Sequence, residues 1–360
     1  MIRITLFIMN RILENDALYL KEWLDTSLIK NKRILVTGAS GLIGINLLAF
    51  LKVCDEDFEC VCTIKNSPEK WLKELTYDER FTCVKFDLCD NLLLQNLSFE
   101  EFDIIFHLAT YGQPDKMFSD KPDKNIIKCQ IQTVKLNTEV IHTLFSMLKP
   151  RGIFLYMSSS EVYQGLIADI YNESMIGITN TIHPRASYIE SKRAGEVICN
   201  IYRNAGYRVR ILRLCQCYGA GVKFHDNRVL NKFVRNCFIN NIKLRDNGTA
   251  IRTYIYVTDV IKMMYEIAFR ASDIIYNVAG KEIVTIKMLA EKIASRFNKE
   301  VIIPEYNSSS IGSCGKCILD MSKYKHEFGE HDYINIDSGI DATINWFKYL
   351  HDGLKDELNE

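Results

Sequence analysis

The chain carries no excess of charge of either sign. Lys+Arg and Asp+Glu both number 45, for a formal net charge of zero at pH 7. A protein that coats nucleic acid or an anionic membrane surface needs a basic field, so this balance argues against any such general binder and leaves room only for a local basic pocket. No apolar run is long enough to cross a bilayer. The opening stretch Met1-Ile2-Arg3-Ile4-Thr5-Leu6-Phe7-Ile8-Met9 is too short for a span and lacks a small-residue cleavage site, and Met9 is an equally good start. There is no internal repeat and no low-complexity tract. The 12 cysteines show no metal-ligand spacing: Cys314 and Cys317 form one CxxC without a second pair to match it. No metal site is expected, and the thiols read as reduced residues of a cytoplasmic protein. What remains is a chain of 360 residues, 48% hydrophobic, long enough for one large core or two interleaved lobes.

The richest stretch is Arg33-Ile34-Leu35-Val36-Thr37-Gly38-Ala39-Ser40-Gly41-Leu42-Ile43-Gly44. A buried apolar strand runs into three glycines, and an apolar helix pattern (Leu42, Ile43, Leu47, Leu48, Leu51) starts inside them. Such a unit opens a dinucleotide-binding fold. Gly38 turns the chain off the strand, Gly41 admits a pyrophosphate close to the backbone, and Gly44 lets the helix pack tightly. Free N–H groups of Ser40, Leu42 and Ile43 then face the phosphates at the positive end of the helix.

Residues 10–30 read as a helical lead-in packed outside the sheet. A second strand, 58–64, ends in Cys62-Thr63-Ile64-Lys65-Asn66, with no acid to hold an adenosine ribose. Lys65 is suited to a 2′-phosphate, so both NAD and NADP stay open. A third strand, 84–88, carries Asp87 and Leu88 at its end, where the carboxylate suits an adenine amino group. A fourth, 102–108, enters His107-Leu108-Ala109; Leu108 and Ala109 flank the nicotinamide half, and His107 reads as a structural strand-end histidine. A helix over 127–148 and a fifth strand over 152–158 follow. Strands alternating with helices predict an α/β protein, a Rossmann-like, doubly wound parallel sheet. Residues 1–30 form the extension, 31–220 the dinucleotide-binding domain with returns near 253–279, and 221–252 with 280–350 a smaller, interleaved substrate lobe. In the later part, helices are expected over 186–204, 229–240, 257–269, 286–297 and 337–350, with strands over 209–214 and 274–278.

Two clusters fall where that sheet ends. Ser158-Ser159-Ser160-Glu161 follows the fifth strand, and Tyr188 and Lys192 lie one helical turn apart on the next helix. A tyrosine is a poor base at neutral pH, since its pKa is about 10. A neighbouring ammonium and an oxidised nicotinamide favour the phenolate. With a serine holding the substrate oxygen, that set suits loss of a proton from an alcohol as its carbon gives up a hydride.

Together these motifs, with Arg252-Thr253-Tyr254-Ile255-Tyr256-Val257-Thr258-Asp259, resemble the extended short-chain dehydrogenase/reductase family that modifies nucleotide sugars. The resemblance runs from Asn31 to Leu350. It implies a tightly bound NAD, a nucleotide-sugar substrate oxidised at C4 and a homodimer. Tyr188 is then the base, Lys192 binds the nicotinamide ribose and tunes it, and Ser159 shares the hydrogen bond. Ser160-Glu161 stands where hexose 4,6-dehydratases carry Asp-Glu, and matches the UDP-glucuronate decarboxylase branch, as do 185–188, 226–230, Arg252 and Tyr256. That branch implies a C4 ketone that labilises the C6 carboxylate. Arg252 is read as the carboxylate fork, Glu161 as a water-holding or proton-relay residue, Arg228 as a pyrophosphate ligand, and Ser160, Gln216 and Tyr256 as further substrate contacts. The usual Asn before Tyr-Gly is replaced within Cys215-Gln216-Cys217-Tyr218-Gly219. Dehydration and C4 epimerisation share the first step and remain alternatives, and a non-catalytic nucleotide sensor is a remote one.

Overall fold

A computed structural model describes residues 10–66, 70–90, 101–112, 123–305 and 315–359. The strands are β1 (Lys32–Thr37), β2 (Phe58–Ile64), β3 (Phe81–Lys85), β4 (Phe102–His107), β5 (Leu148–Ser159), β6 (Arg208–Leu214), β7 (Gln216–Tyr218), β8 (Ile242–Lys243), β9 (Ile251–Tyr256), β10 (Ile275–Val278), β11 (Ile283–Thr285), β12 (Val301–Ile302) and β13 (Lys316–Cys317). The helices are α1 (Arg11–Trp23), α2 (Leu42–Val53), α3 (Lys70–Leu75), α4 (Lys124–Asn137), α5 (Glu139–Ser146), α6 (Ala186–Asn204), α7 (Val229–Cys237), α8 (Val257–Arg270), α9 (Ile286–Ser295), α10 (Ser322–Phe328) and α11 (Ile336–Asn359).

Seven strands form one parallel sheet in the order β10-β6-β5-β4-β1-β2-β3. Its strands alternate side chains between two apolar layers. Ile34, Val36, Phe106 and Leu155 join the layer with α1, α2 and α8. Leu35, Ile105, Phe154 and Tyr156 join the layer with α4, α5 and α6. A parallel sheet covered on both faces is the expected doubly wound arrangement. Strand order reverses between β1 and β4, and the crevice at their carboxyl ends is where such sheets take ligands.

Several boundaries differ from the sequence reading for local reasons. The helix expected over 127–148 is two helices, broken at Thr138 (φ −131°, ψ −85°). There the Thr138 hydroxyl donates to the Val134 carbonyl, a side-chain bond that competes with helical pairing. β5 begins at Leu148 rather than 152, because Leu148 pairs with Phe102 and the next pair is Ile104 with Ile153. The extra residues bulge out, which accommodates Pro150 without an N–H and Arg151 at φ +65°. β3 closes at Lys85, so Asp87 lies just past the strand. α11 runs nine residues beyond the expected 350, to Asn359. The small sheet of β7, β9, β11 and β13 and the β8–β12 pair were not foreseen: β7, β8, β11, β12 and β13 are two or three residues long and carry no periodicity, and the six-residue β9 falls in a stretch read for its motif.

Residues 10–30 hold α1 and a short 3-10 turn over Thr26–Ile29. α1 packs against α2 and α8, burying Leu13, Ala17 and Leu20. Cys314 lies outside the described residues.

Candidate active site

The turn after β1 sets one wall of a cleft. Gly38 has φ +69°, and a Cβ there would stand 2.7 Å from the Ala109 Cα. A Cβ on Gly44 would meet Ala39 Cα and the Gly38 carbonyl oxygen, both at 2.7 Å. These two positions admit only glycine, because backbone from the same turn and from the end of β4 fills the space. Gly41 caps α2 without a side-chain bond, which leaves the first N–H groups of the helix uncapped.

The cleft has a volume of about 360 Å³. Gly38, Ser40, Gly41, Leu42, Ile43 and Gly44 line one end. Lys65, Asp87, Leu88, Leu108 and Ala109 line it further along, and Ser159, Glu161, Tyr188, Gln216 and Arg228 close it. Lys192 and Ser160 are buried beside it and are not among its lining residues; Arg252 and Tyr256 are not either. Arg252 donates to the carbonyls of Ile251 and Gly315, next to its own strand. Tyr256 donates to Asp16 Oδ2 of α1 at 2.8 Å. The structure therefore does not bring these two expected substrate contacts to the cleft wall: one is held along its strand, the other turned toward the N-terminal helix.

Tyr188 is buried at 7% exposure on the first turn of α6. A Cβ on Gly112 would lie 3.8 Å from its hydroxyl, so the phenol faces the segment that leaves β4. Burial raises this phenol above its ordinary value, and the Glu161 charge raises it further; the Ser159 hydrogen bond, Arg185 and Arg228 pull the other way. Lys192 sits one turn on. Its Nζ donates to the Met157 carbonyl at 2.7 Å and lies 4.7 Å from the Tyr156 ring centre and 5.9 Å from that of Tyr188. Burial pushes its ammonium down to about 7, against the pull of Glu196. At the Tyr188 phenol, desolvation outweighs the nearby positive charges of Arg185 and Arg228.

Glu161 is gripped from behind. Arg185 Nε and Nη2 reach its two oxygens at 2.7 and 2.5 Å. Arg228, expected to meet pyrophosphate, makes a two-point pair with Asp226, whose carboxyl is held down to about 2: burial opposes this, and Arg228 outweighs it.

At the other end, Lys65 Nζ contacts Asp87 Oδ2 at 3.0 Å, the Tyr111 hydroxyl at 2.5 Å and Gln132 Oε1 at 2.9 Å. Its three donors are thus engaged within the protein. Burial works against the Asp87 charge, but the Cys89 amide and Lys65 hold the carboxyl below its usual value. His107 is a buried strand-end residue: Nε2 bonds the Leu136 carbonyl at 2.9 Å and Nδ1 the Thr37 hydroxyl at 2.8 Å. A carbonyl only accepts, so Nε2 carries the proton. Burial pushes the ring down to about 3, leaving it neutral.

These residues fit a bound dinucleotide. The glycine turn offers backbone with no side chain in the way. The hydroxyls of Thr63 and Thr110, both of cleft-lining residues, are buried with no hydrogen-bond partner among the described residues. Orphaned buried hydroxyls in a cleft mark places where a polar ligand completes the bonding. Thr63, Asn66 and Lys223 line the cleft although sequence reasoning assigned them no role. The signal for Thr63 was its place beside Thr37 at the carboxyl end of adjoining strands.

The profile described as NAD dependent epimerase/dehydratase family matches residues 34–279. The chain is similar to UDP-glucuronic acid decarboxylase 1 of Danio rerio, 26% identical over 327 residues, covering 88% of this chain and 72% of the relative. It is similar to dTDP-D-glucose 4,6-dehydratase of Dictyostelium discoideum, 29% identical over 283 residues, covering 73% and 61%. Among solved structures it resembles UDP-glucuronic acid 4-epimerase of Bacillus cereus in complex with UDP-glucuronic acid and NAD, with a TM-score of 0.72 at 21% identity, covering 88% and 99%.

Proposed function

This chain belongs to the NAD dependent epimerase/dehydratase family, and on that premise we propose that it decarboxylates a UDP-glucuronate-like nucleotide sugar by way of its C4 ketone. The observation that carries the reading is the placement of Ser159, Glu161 and Tyr188 on one cleft whose far end is the glycine turn.

NAD is the family's cofactor, and bound in the cleft it would supply a hydride acceptor for the sugar carbon and a donor for the return step. The glycine turn, Asp87 and the Leu108-Ala109 segment would hold it, with Thr63 and Thr110 supplying hydroxyl partners. Tyr188 removes the proton from the C4 hydroxyl, and Ser159 hydrogen-bonds that oxygen. The resulting ketone stands β to the C6 carboxylate. Carbon dioxide leaves, its bonding electrons pass into an enolate at C4–C5, and a proton then adds at C5. Glu161, anchored by Arg185, positions the water that delivers that proton. Gln216, Arg228 and the 221–252 and 280–350 lobe bind the nucleotide end.

The serine at 160 weighs against ordinary dehydration, which needs a proton donor for the leaving hydroxyl; Ser160 is buried and is not among the cleft-lining residues. A homodimer is part of the same reading. α4 and α6 pack side by side, and Ile127, Ile131, Val134, Val197 and Ile201 are exposed on them. The described cysteines are free, which suits the cytosol. Among the described residues no helix is long and apolar enough to cross a membrane.

Incubation with UDP-glucuronate tests the reading: carbon dioxide and a UDP-pentose are expected, and Tyr188→Phe should retain NAD and lose at least ~100-fold in turnover. A 4-keto-6-deoxy product from a neutral nucleotide hexose, with none from UDP-glucuronate, would replace decarboxylation by dehydration.

A further inference from the structure

Arg185 joins three features of the site. Its carbonyl accepts from the amides of Tyr188 and Ile189, both at 3.0 Å, and so starts the helix that carries the base. Its guanidinium takes both oxygens of Glu161. The same guanidinium lies 5.2 Å from the centre of the Tyr188 ring. The side chain is 12% exposed, and its Nη1 is buried with no hydrogen-bond partner among the described residues.

That placement answers an electrostatic problem. A carboxylate near a phenol opposes loss of the phenol's proton. Glu161 stands in that relation to Tyr188, which is itself buried. We propose that Arg185 is a positioning residue of the reaction: by holding Glu161 at two points with its guanidinium beside the Tyr188 ring, it lets one cleft contain both a fixed carboxylate and a phenol that must ionise. The proposal rests on the reading of Tyr188 as proton acceptor. A two-point fork also fixes the carboxylate plane, which a point charge cannot do.

The charged and hydrogen-bonding groups that face Tyr188 among the described residues are few. Tyr156 and Ser159 come from β5, Glu161 from the turn after it, Arg185 and Lys192 from the start of α6, and Arg228 from the loop before α7. Arg228 already pairs with Asp226, and Lys192 with the Met157 carbonyl. Arg185 is the cation of this set whose partner is Glu161 itself.

The test follows the Tyr188 phenol directly, by ¹³C NMR of NAD-loaded protein labelled at the tyrosine Cζ, with Tyr188→Phe assigning the signal. In Arg185→Met the phenol should titrate about one pH unit higher than in wild type, and in Arg185→Met with Glu161→Gln it should return to within about half a unit. Glu161→Gln alone should titrate lower than wild type, which keeps the proposal open to refutation if Arg185→Met folds poorly. An unchanged titration in Arg185→Met, or in Glu161→Gln, overturns the proposal. So does a shift in the single variant that persists undiminished in the double variant. None of these readings needs a substrate, so the proposal can fail while decarboxylation stands, or stand while the choice of sugar fails. With turnover in hand, Arg185→Met should lower kcat about 10- to 100-fold with KM nearly unchanged, and Arg185→Lys should recover part of the loss.

Discussion

Lys192 enters the core with a charge that burial disfavours, and this has a consequence for stability. In the unfolded chain its ammonium holds a proton up to about 10.5; in the folded protein it lets go near 7. Between those values the unfolded state binds more protons, so this residue makes stability rise with pH across that window. Below pH 7 the penalty is present in full. Lys192→Met should therefore raise the stability of the cofactor-free protein at pH 7 by on the order of a few kcal/mol while abolishing turnover. The gain should shrink toward pH 10, as followed by denaturant unfolding at a series of pH values. A gain that does not vary with pH would mean that packing, and not charge, separates the two proteins. The Arg185 and Glu161 variants probe the same principle on the other side of Tyr188.

At the scale of the element, α1 is tied to the rest of the protein through a carboxylate. Asp16 accepts the Tyr256 hydroxyl, and its own carboxyl is pushed up to about 6 by burial, with Asp259 adding to the rise and the bonds from Tyr256 and Thr258 opposing it. Between about 3.8 and 6 the folded form binds the extra proton, so stability falls as pH rises through that range, and the cost of burying the charge is complete above 6. Asp16→Asn should hold α1 more firmly at pH 7.5, by up to about 3 kcal/mol, and show little gain at pH 4. Hydrogen exchange of the α1 amides at the two pH values measures this. The Thr138 break between α4 and α5 is a smaller instance of a side chain deciding an element's limits.

For the whole molecule, the exposed faces of α4 and α6 matter most. Ile127, Ile131 and Val134 recur at helical spacing on one, and Val197 and Ile201 on the other. A second copy of the chain covering both stripes would bury them together. Ile131→Glu with Ile201→Glu should give a monomer by light scattering where the parent is a dimer, with the fold retained by circular dichroism. A parent that is itself monomeric at micromolar concentration would remove the dimer from the account.

The β1–α2 turn and the Tyr188–Lys192 spacing were legible in the chain because each depends on neighbours within a few residues: a glycine's freedom, a helical turn. The alternation of strand and helix likewise implied a sheet covered on both faces. Side-chain commitments between distant segments were not legible. Tyr256 answers to Asp16, 240 positions away, Arg185 to Glu161 across a loop, and Arg252 to the backbone beside it. Sequence determined which groups are present and which local turns they must make. Only the tertiary structure decided which charge faces which, because that depends on where the chain returns and on how much water its return excludes.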